Sequence, residues 1–164
     1  MQLPDIAQSC ESLAADLASL LQTRQIDNPL VIGVRTGGVW VAEKLHQSLS
    51  LPEQVYSIDI SFYRDDFTRH GLHPEVRGSE LPDTIEDRHV ILVDDVIMSG
   101  RTVRAALNEL FDYGRPASVT LACLYDIGRR ELPIQPDVCG EQLHLEEGQL
   151  IKLTGPEPLA ISLL

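Results

Sequence analysis

The stretch Val90-Ile91-Leu92-Val93-Asp94-Asp95-Val96-Ile97-Met98-Ser99-Gly100-Arg101-Thr102 joins three pieces with separate physical roles. Its first four residues are apolar, three of them β-branched, and show no polar alternation. They read as a central strand buried on both faces, as a parallel sheet requires. Two carboxylates, Asp94 and Asp95, follow where that strand is expected to end. In open α/β sheets, ligands bind outside the carboxyl ends of the strands. Ser99-Gly100-Arg101-Thr102 then opens into a segment whose apolar residues Val103, Ala106, Leu107 and Leu110 keep helical spacing. A glycine turn at a helix start offers unpaired backbone N–H groups to an anion, and the Ser99 and Thr102 hydroxyls add donors. A phosphate beside two carboxylates is repelled unless the carboxylates face hydroxyl groups or a divalent cation. The combination points to a sugar phosphate, with Asp94 and Asp95 serving ribose hydroxyls or hydrated Mg²⁺.

Upstream, Leu30-Val31-Ile32-Gly33-Val34 is a second buried-strand candidate, and Arg35-Thr36-Gly37-Gly38 separates it from a helix expected from about Val39 to Leu49. This is a second strand, glycine turn and helix. Its backbone N–H groups and the Arg35 guanidinium suit a second anion, although the same turn would also serve as a mere tight connection. Residues 5 to 22 carry Ile6, Leu13, Leu17, Leu20 and Leu21 at mostly helical spacing, predicting an amphipathic helix. Val55 to Phe62 alternates enough to be a strand. From Tyr63 to Asp83 the chain is polar and broken by Gly71, Pro74, Gly78 and Pro82, the character of a lid or binding loop. His70 and His73 in it read as solvated loop histidines, since no Cys or third His stands near. Asp112-Tyr113-Gly114-Arg115-Pro116 should end the helix after the central motif, with glycine as its terminator. Val119 to Tyr125 is the fourth strand, and Asp126 to Pro133 connects at its carboxyl end. The tail from Pro136 to Leu164 suits either short strands or an ordered arm.

With 164 residues, 43% hydrophobic and 23% charged, the chain has the make-up of an ordinary globular protein with one sizeable core. No apolar run reaches the roughly 20 residues that span a bilayer, and the start lacks the basic character of a signal peptide, so the expected compartment is the cytoplasm. Cys10, Cys123 and Cys139 are far apart and form no Cys-x-x-Cys pair, which disfavours a zinc or redox role. A net charge of −12 disfavours nonspecific binding to nucleic acid, which needs clustered Lys and Arg. Carboxylates at strand ends also occur in phospho-acceptor signalling domains; the phosphate turn directly after the acidic pair argues against that reading here.

A hydrophobic strand, two acidic residues, a short spacer and then Ser-Gly-x-Thr resembles the phosphoribosyl pyrophosphate (PRPP) motif of the type I phosphoribosyltransferases. The likeness runs from about Leu30 to Gly140. It narrows at Ser61-Phe62-Tyr63-Arg64-Asp65-Asp66, Gly114-Arg115-Pro116 and Arg130-Glu131-Leu132-Pro133-Ile134, which together look like the PyrR-type family of pyrimidine operon regulators and uracil phosphoribosyltransferases. The resemblance implies an α/β fold with a mainly parallel central sheet flanked by helices. It implies a single domain over residues 1–164, with 63–83 as a flexible hood beginning at Tyr63, Arg64 and Asp65. The implied reaction is uracil plus PRPP giving UMP and pyrophosphate with Mg²⁺, held through the substrate and with Asp94 and Asp95 as candidate ligands. The implied partners are those substrates and products, a second copy of the chain or a larger homo-oligomer, and in some members leader RNA.

Residue by residue, the resemblance places PRPP on Asp94, Asp95, Val96, Ile97, Met98, Ser99, Gly100, Arg101 and Thr102. Pyrophosphate falls to Arg35, Thr36, Gly37 and Gly38, and catalysis to Asp94, Asp95 and Arg35. Resembling purine-specific enzymes carry an acidic residue at Met98; a thioether cannot exchange a proton, which favours a pyrimidine acceptor. That acceptor would be read by backbone around Tyr125, Asp126, Ile127 and Gly128 and by the side chains of Ile97 and Met98. There are departures too. Regulatory members typically have Lys-Thr-Arg-Gly at Arg35–Gly38, and Asp-Arg-Gly-His where Ile127 and Arg129 stand here. Gln135 and Glu141 occupy places that are often basic in RNA-binding members. The enzyme reading therefore comes first, and an RNA-binding attenuator with weak or vestigial catalysis second.

Overall fold

The computed structural model describes residues 2–61 and 78–164, so Tyr63, Arg64 and Asp65, with most of the expected hood, lie outside the described residues. The elements are α1 (Ile6–Thr23), β1 (Leu30–Val34), α2 (Gly37–Leu49), β2 (Tyr56–Ile58), β3 (His89–Ile97), α3 (Arg101–Tyr113), β4 (Ser118–Asp126), β5 (Val138–Gln142), β6 (Ile151–Thr154) and β7 (Ala160–Leu163). Five strands form one parallel sheet in the order β2-β1-β3-β4-β5, and β6 and β7 pair as an antiparallel hairpin. The strand carrying the acidic pair is thus central, as its unbroken apolar run predicts.

Alternation along the strands feeds two cores. Val31, Ile91, Val93, Leu124 and Tyr125 pack with Leu13 and Leu17 of α1 and Val41 and Leu45 of α2 on one face. Leu30, Ile32, Val90 and Leu92 pack with Val103, Ala106 and Leu110 of α3 on the other. Since both faces are apolar, no polar alternation appears in β1 or early β3. Each fully buried Leu or Ile contributes on the order of 1.5–3 kcal/mol of hydrophobic stabilisation. The Asp5 carboxylate opens α1 by accepting the Gln8 N–H at 3.2 Å.

Three boundaries and one cap conformation differ from the sequence expectation. The acidic pair does not end its strand: β3 continues to Ile97, because an equally long β4 keeps pairing with it at Val96↔Tyr125 and Ile97↔Asp126. Gly37 and Gly38 are not linker but the first two residues of α2. Of the strand expected over Val55–Phe62, the described residues up to Ser61 form strand only at Tyr56–Ile58, and Phe62 lies outside them. Beyond it Asp59 takes over the backbone, its carboxylate accepting the Ser61 N–H at 3.0 Å and the Ser61 hydroxyl at 2.5 Å, a local alternative to the ladder. Gly114 does follow α3, but in extended rather than left-handed conformation, at φ −178. Its bare Cα instead accommodates Ile85, whose Cγ1 would lie 2.9 Å from a Cβ there.

The tail resolves into β5, which completes the sheet, and the β6–β7 hairpin, which buries Ile151 and Leu153 against the α1 and α2 side of the core. Among the described residues no helix is long and apolar enough to cross a membrane. Cys123 is buried in the core; Cys10 and Cys139 are half-buried, and all three thiols are free.

Candidate functional site

The pairing of β1 with β3, in register at Gly33↔Val93, sets two helix starts side by side at the carboxyl edge of the sheet. The first is the turn Arg35–Gly38. Arg35 is anchored by its N–H to the Ile58 carbonyl at 2.9 Å, and its peptide bond to Thr36 is cis. Its guanidinium donates to Ser57 Oγ at 3.2 Å and pairs with Glu80 Oε1 at 3.2 Å. Glu80 is held there by two backbone hydrogen bonds to Ser57. Thr36 caps α2 without a side-chain hydrogen bond, which leaves the helix start open to an anion.

The second start is Ser99–Thr102. Gly100 caps α3 at φ 94, a left-handed conformation that disfavours any side chain, and the cap residue itself makes no side-chain hydrogen bond to the helix. Ser99 Oγ accepts the Arg101 N–H at 3.1 Å, and Thr102 is exposed at the rim. Between the two turns sits the acidic pair. Asp94 is buried and its Oδ1 accepts the Asp95 N–H at 2.9 Å, whereas Asp95 is half-exposed. The first turn touches the acidic end of β3: a Cβ on Gly37 would lie 2.7 Å from Asp95 Cγ, and one on Gly38 would lie 2.5 Å from the Val93 carbonyl oxygen. Glycine at both positions lets α2 begin directly on the acidic end of β3.

A cleft of about 200 Å³ opens beside the second turn. It is lined by Asp94, Ile97, Met98, Ser99 and Thr102, by Ile127, and by Leu150 and Ile151 from the C-terminal hairpin. Met98 and Leu150 are more than a third exposed, at 38% and 41%, so the cleft presents a partly apolar wall to a ligand. The carboxyl end of β4 forms the adjoining side, where Ile127 N–H donates to the Ile97 carbonyl at 3.1 Å. Tyr125 turns the other way: it is fully buried, its hydroxyl donates to Ser9 Oγ at 3.2 Å beneath α1, and burial pushes that phenol above its ordinary pKa. Its side chain therefore takes no part in the cleft, which Tyr125 does not line. Asp126 is held by Arg130 at 2.7 and 2.9 Å and by the Gly128 N–H at 2.8 Å. Burial alone would raise the Asp126 carboxyl, but these hydrogen bonds and the Arg130 charge outweigh it and hold the group below the usual carboxylate range.

The structure therefore brings Arg35–Gly38, Asp94–Thr102 and Ile127–Gly128 to one sheet edge. Sequence reasoning missed Leu150 and Ile151, whose only signal was an apolar pair in the tail. It also missed Arg129, which donates to the carbonyls of Gln149 at 2.9 Å and Glu146 at 2.6 Å and ties the hairpin's entry to this edge. Among the described residues no group of three or more His, Cys, Asp or Glu is placed to hold a metal by itself.

Known proteins share the family and the fold of this chain. Residues 2–143 match the phosphoribosyl transferase domain family. A "Bifunctional protein PyrR" of Pseudomonas syringae pv. syringae is 58% identical over 99% of this chain and 96% of its own length. One of Pseudomonas aeruginosa PAO1 is 56% identical over 98% and 95%. Among solved structures, a hypoxanthine-guanine phosphoribosyltransferase of Bacillus anthracis superposes with a TM-score of 0.72 over 92% of this chain and 86% of that one, at 20% identity. A hypoxanthine phosphoribosyltransferase of Trypanosoma cruzi does so with a TM-score of 0.62 over 84% and 77%, at 22% identity. At such identities these two likenesses speak to the fold, which is that of the type I phosphoribosyltransferases.

Proposed function

This chain belongs to the phosphoribosyl transferase domain family and, within it, to the PyrR proteins, and we propose that it transfers the phosphoribosyl group of PRPP to uracil, giving UMP and pyrophosphate. The observation that carries this reading is the acidic pair flanked by two open helix starts. A ribose with an anion at each end needs two anion turns with hydroxyl acceptors between them. Ser99–Thr102 receives the 5′-phosphate, Asp94 and Asp95 accept hydrogen bonds from the ribose hydroxyls, and Arg35–Gly38 receives pyrophosphate.

Displacing pyrophosphate from the anomeric carbon builds positive charge on the ribose ring and negative charge on the leaving group. Asp95 supplies a nearby carboxylate to the first, and Arg35 with the α2 start supplies fixed positive potential to the second. The donor set fits Mg²⁺: one or two carboxylates with the remaining positions filled by substrate oxygens and water is how that ion is commonly held. Asp94 and Asp95 would hold it, and bound there it would neutralise pyrophosphate charge. The acceptor base lies against Met98, Ile127 and Leu150, with the backbone of 126–128 reading its edge. None of these side chains exchanges a proton with the base, which suits a pyrimidine acceptor.

The relatives' designation as bifunctional favours a second reading, UMP-dependent regulation of pyrimidine genes through leader RNA. The net charge of −12, with exposed Gln135 and Glu141, places it behind the enzyme reading.

The test is an acceptor screen of purified protein with PRPP and Mg²⁺, offering uracil, orotate, hypoxanthine and guanine. UMP formation from uracil alone is expected; turnover with hypoxanthine in its place would refute the acceptor assignment. Absent turnover with tight, UMP-enhanced leader-RNA binding would reverse the order of the two readings. Asp95→Asn and Thr102→Ala should each lower turnover by about a hundredfold while leaving the thermal midpoint within about 3 °C. Loss of stability in step with activity would make both residues structural.

A further inference from the structure

The five N–H donors of the Arg130 guanidinium are all engaged inside the chain. Nε donates to the Ile134 carbonyl at 2.6 Å; Nη1 donates to the Met98 carbonyl and Asp126 Oδ1, each at 2.9 Å; Nη2 donates to Asp126 Oδ2 at 2.7 Å and Gln135 Oε1 at 2.6 Å. The side chains of Arg130 and Asp126 are only 16% and 7% exposed. A guanidinium has no sixth donor, so a basic residue at the edge of an anion site is here committed to the protein itself.

Its partners belong to three different pieces: the end of β4, the turn after β3, and the far end of the 126–135 segment. That segment is fastened to the same turn elsewhere. Glu131 and Leu132 both donate their N–H groups to the Ser99 carbonyl, at 2.9 and 3.1 Å. The Glu131 carboxylate pairs with Arg101 at 3.1 Å, and Leu132 and Ile134 lie 3.5 and 3.4 Å from where a Gly100 Cβ would stand.

We propose that Arg130 is a positioning residue that locks the 126–135 strap onto the turn at 98–102, so that the base-reading backbone and the 5′-phosphate turn are held at one separation. The ligand that feels this is a nucleoside monophosphate, which touches both pieces at once. Pyrophosphate does not, because its turn is anchored by Arg35 bonds to Ser57, Ile58 and Glu80 instead. Lysine cannot replace the fork, having one ammonium with three donors where five acceptors converge. The proposal rests on the reading of Ser99–Thr102 as the 5′-phosphate site.

The experiment is calorimetric titration of the full chain with UMP and, separately, with inorganic pyrophosphate, in wild type, Arg130→Lys and Gln135→Ala, each checked for a cooperative thermal transition. Arg130→Lys should weaken UMP by about tenfold or more and leave pyrophosphate affinity unchanged. Gln135→Ala, which removes one strap bond and spares the ion pair, should weaken UMP less and pyrophosphate not at all. It keeps the test alive if Arg130→Lys does not fold. Unchanged UMP affinity in both variants, or equal loss of both ligands, overturns the proposal while leaving the proposed function standing. A wild type that binds pyrophosphate but not UMP overturns both.

Discussion

Arg35 shows how one residue can be read correctly for charge and still hold a surprise. Its guanidinium already faces a carboxylate, Glu80, across 3.2 Å, and Glu80 is pinned by two backbone bonds to Ser57. Gly37 supplies no second cation to this turn, so on the proposed assignment of Arg35–Gly38 to pyrophosphate the Glu80 carboxylate would compete with that ligand for the arginine. Exposed pairs are weak, and Glu80 is 79% exposed. Glu80→Gln is therefore expected to tighten pyrophosphate binding by about two- to fivefold and to strengthen product inhibition by pyrophosphate. Titration of pyrophosphate at low ionic strength reads this directly, and weaker binding in the variant would show that Glu80 orients Arg35 rather than opposing its ligand. Arg35 and the acidic pair were legible from sequence because charge next to glycine is a local signal. Glu80 was not, because nothing local marks it.

At the scale of elements, the turns Arg35–Gly38 and Ser99–Thr102 share one sheet edge because α2 starts on top of β3. Gly38 is the point of contact, and the Val93 carbonyl oxygen beneath it belongs to a paired strand that cannot move aside. Gly38→Ala should destabilise the fold by about 1–3 kcal/mol, although alanine is the better helix former, and should lower turnover as the Arg35 turn lifts away from Asp95. Urea unfolding beside Gln47→Ala, an exposed position of the same helix, separates the two effects. A neutral or stabilising Gly38→Ala would mean the helix start yields freely. Sequence periodicity found α1, β1, α3 and β4 nearly to their ends. It misjudged β3 and β2 because a strand's length depends on its neighbour: β4 extends β3 past the aspartates, and Asp59 hydrogen bonding stops β2 early.

Over the whole molecule, the acid response should trace the Asp126–Arg130 pair. The Asp126 carboxyl lies below its ordinary value in the folded state, so its contribution is fully present above the unfolded value of about 4 and is lost as pH falls through the lower folded value. Glu109 acts in the opposite sense. Burial raises it first, the Ser79 hydroxyl lowers it in part, and the charges of Asp59 and Asp112 raise it further, so it stabilises the fold less once the pH exceeds its unfolded value. Urea midpoints between pH 3 and pH 7 should therefore show a steep acid loss that flattens in Asp126→Asn, while Glu109→Gln raises the midpoint at neutral pH. An Asp126→Asn variant with the wild-type acid slope would place the linkage elsewhere.

What the sequence determined by itself was the chemistry and the class of fold. A short apolar run rich in β-branched residues suits a strand covered on both faces, and a glycine turn leading into a helical pattern marks the edge at which such a strand gives way to a helix. Those signals are local, and a dozen residues carry them. The tertiary structure alone decided which distant groups complete the site. Leu150 and Ile151 reach the cleft from the hairpin, Glu80 meets Arg35 across a sheet edge, and Arg130 binds the strap to the turn after β3. Each is a contact between segments far apart in the chain or an internal commitment of a polar group, and only the packing of the parallel sheet brings those partners within bonding distance.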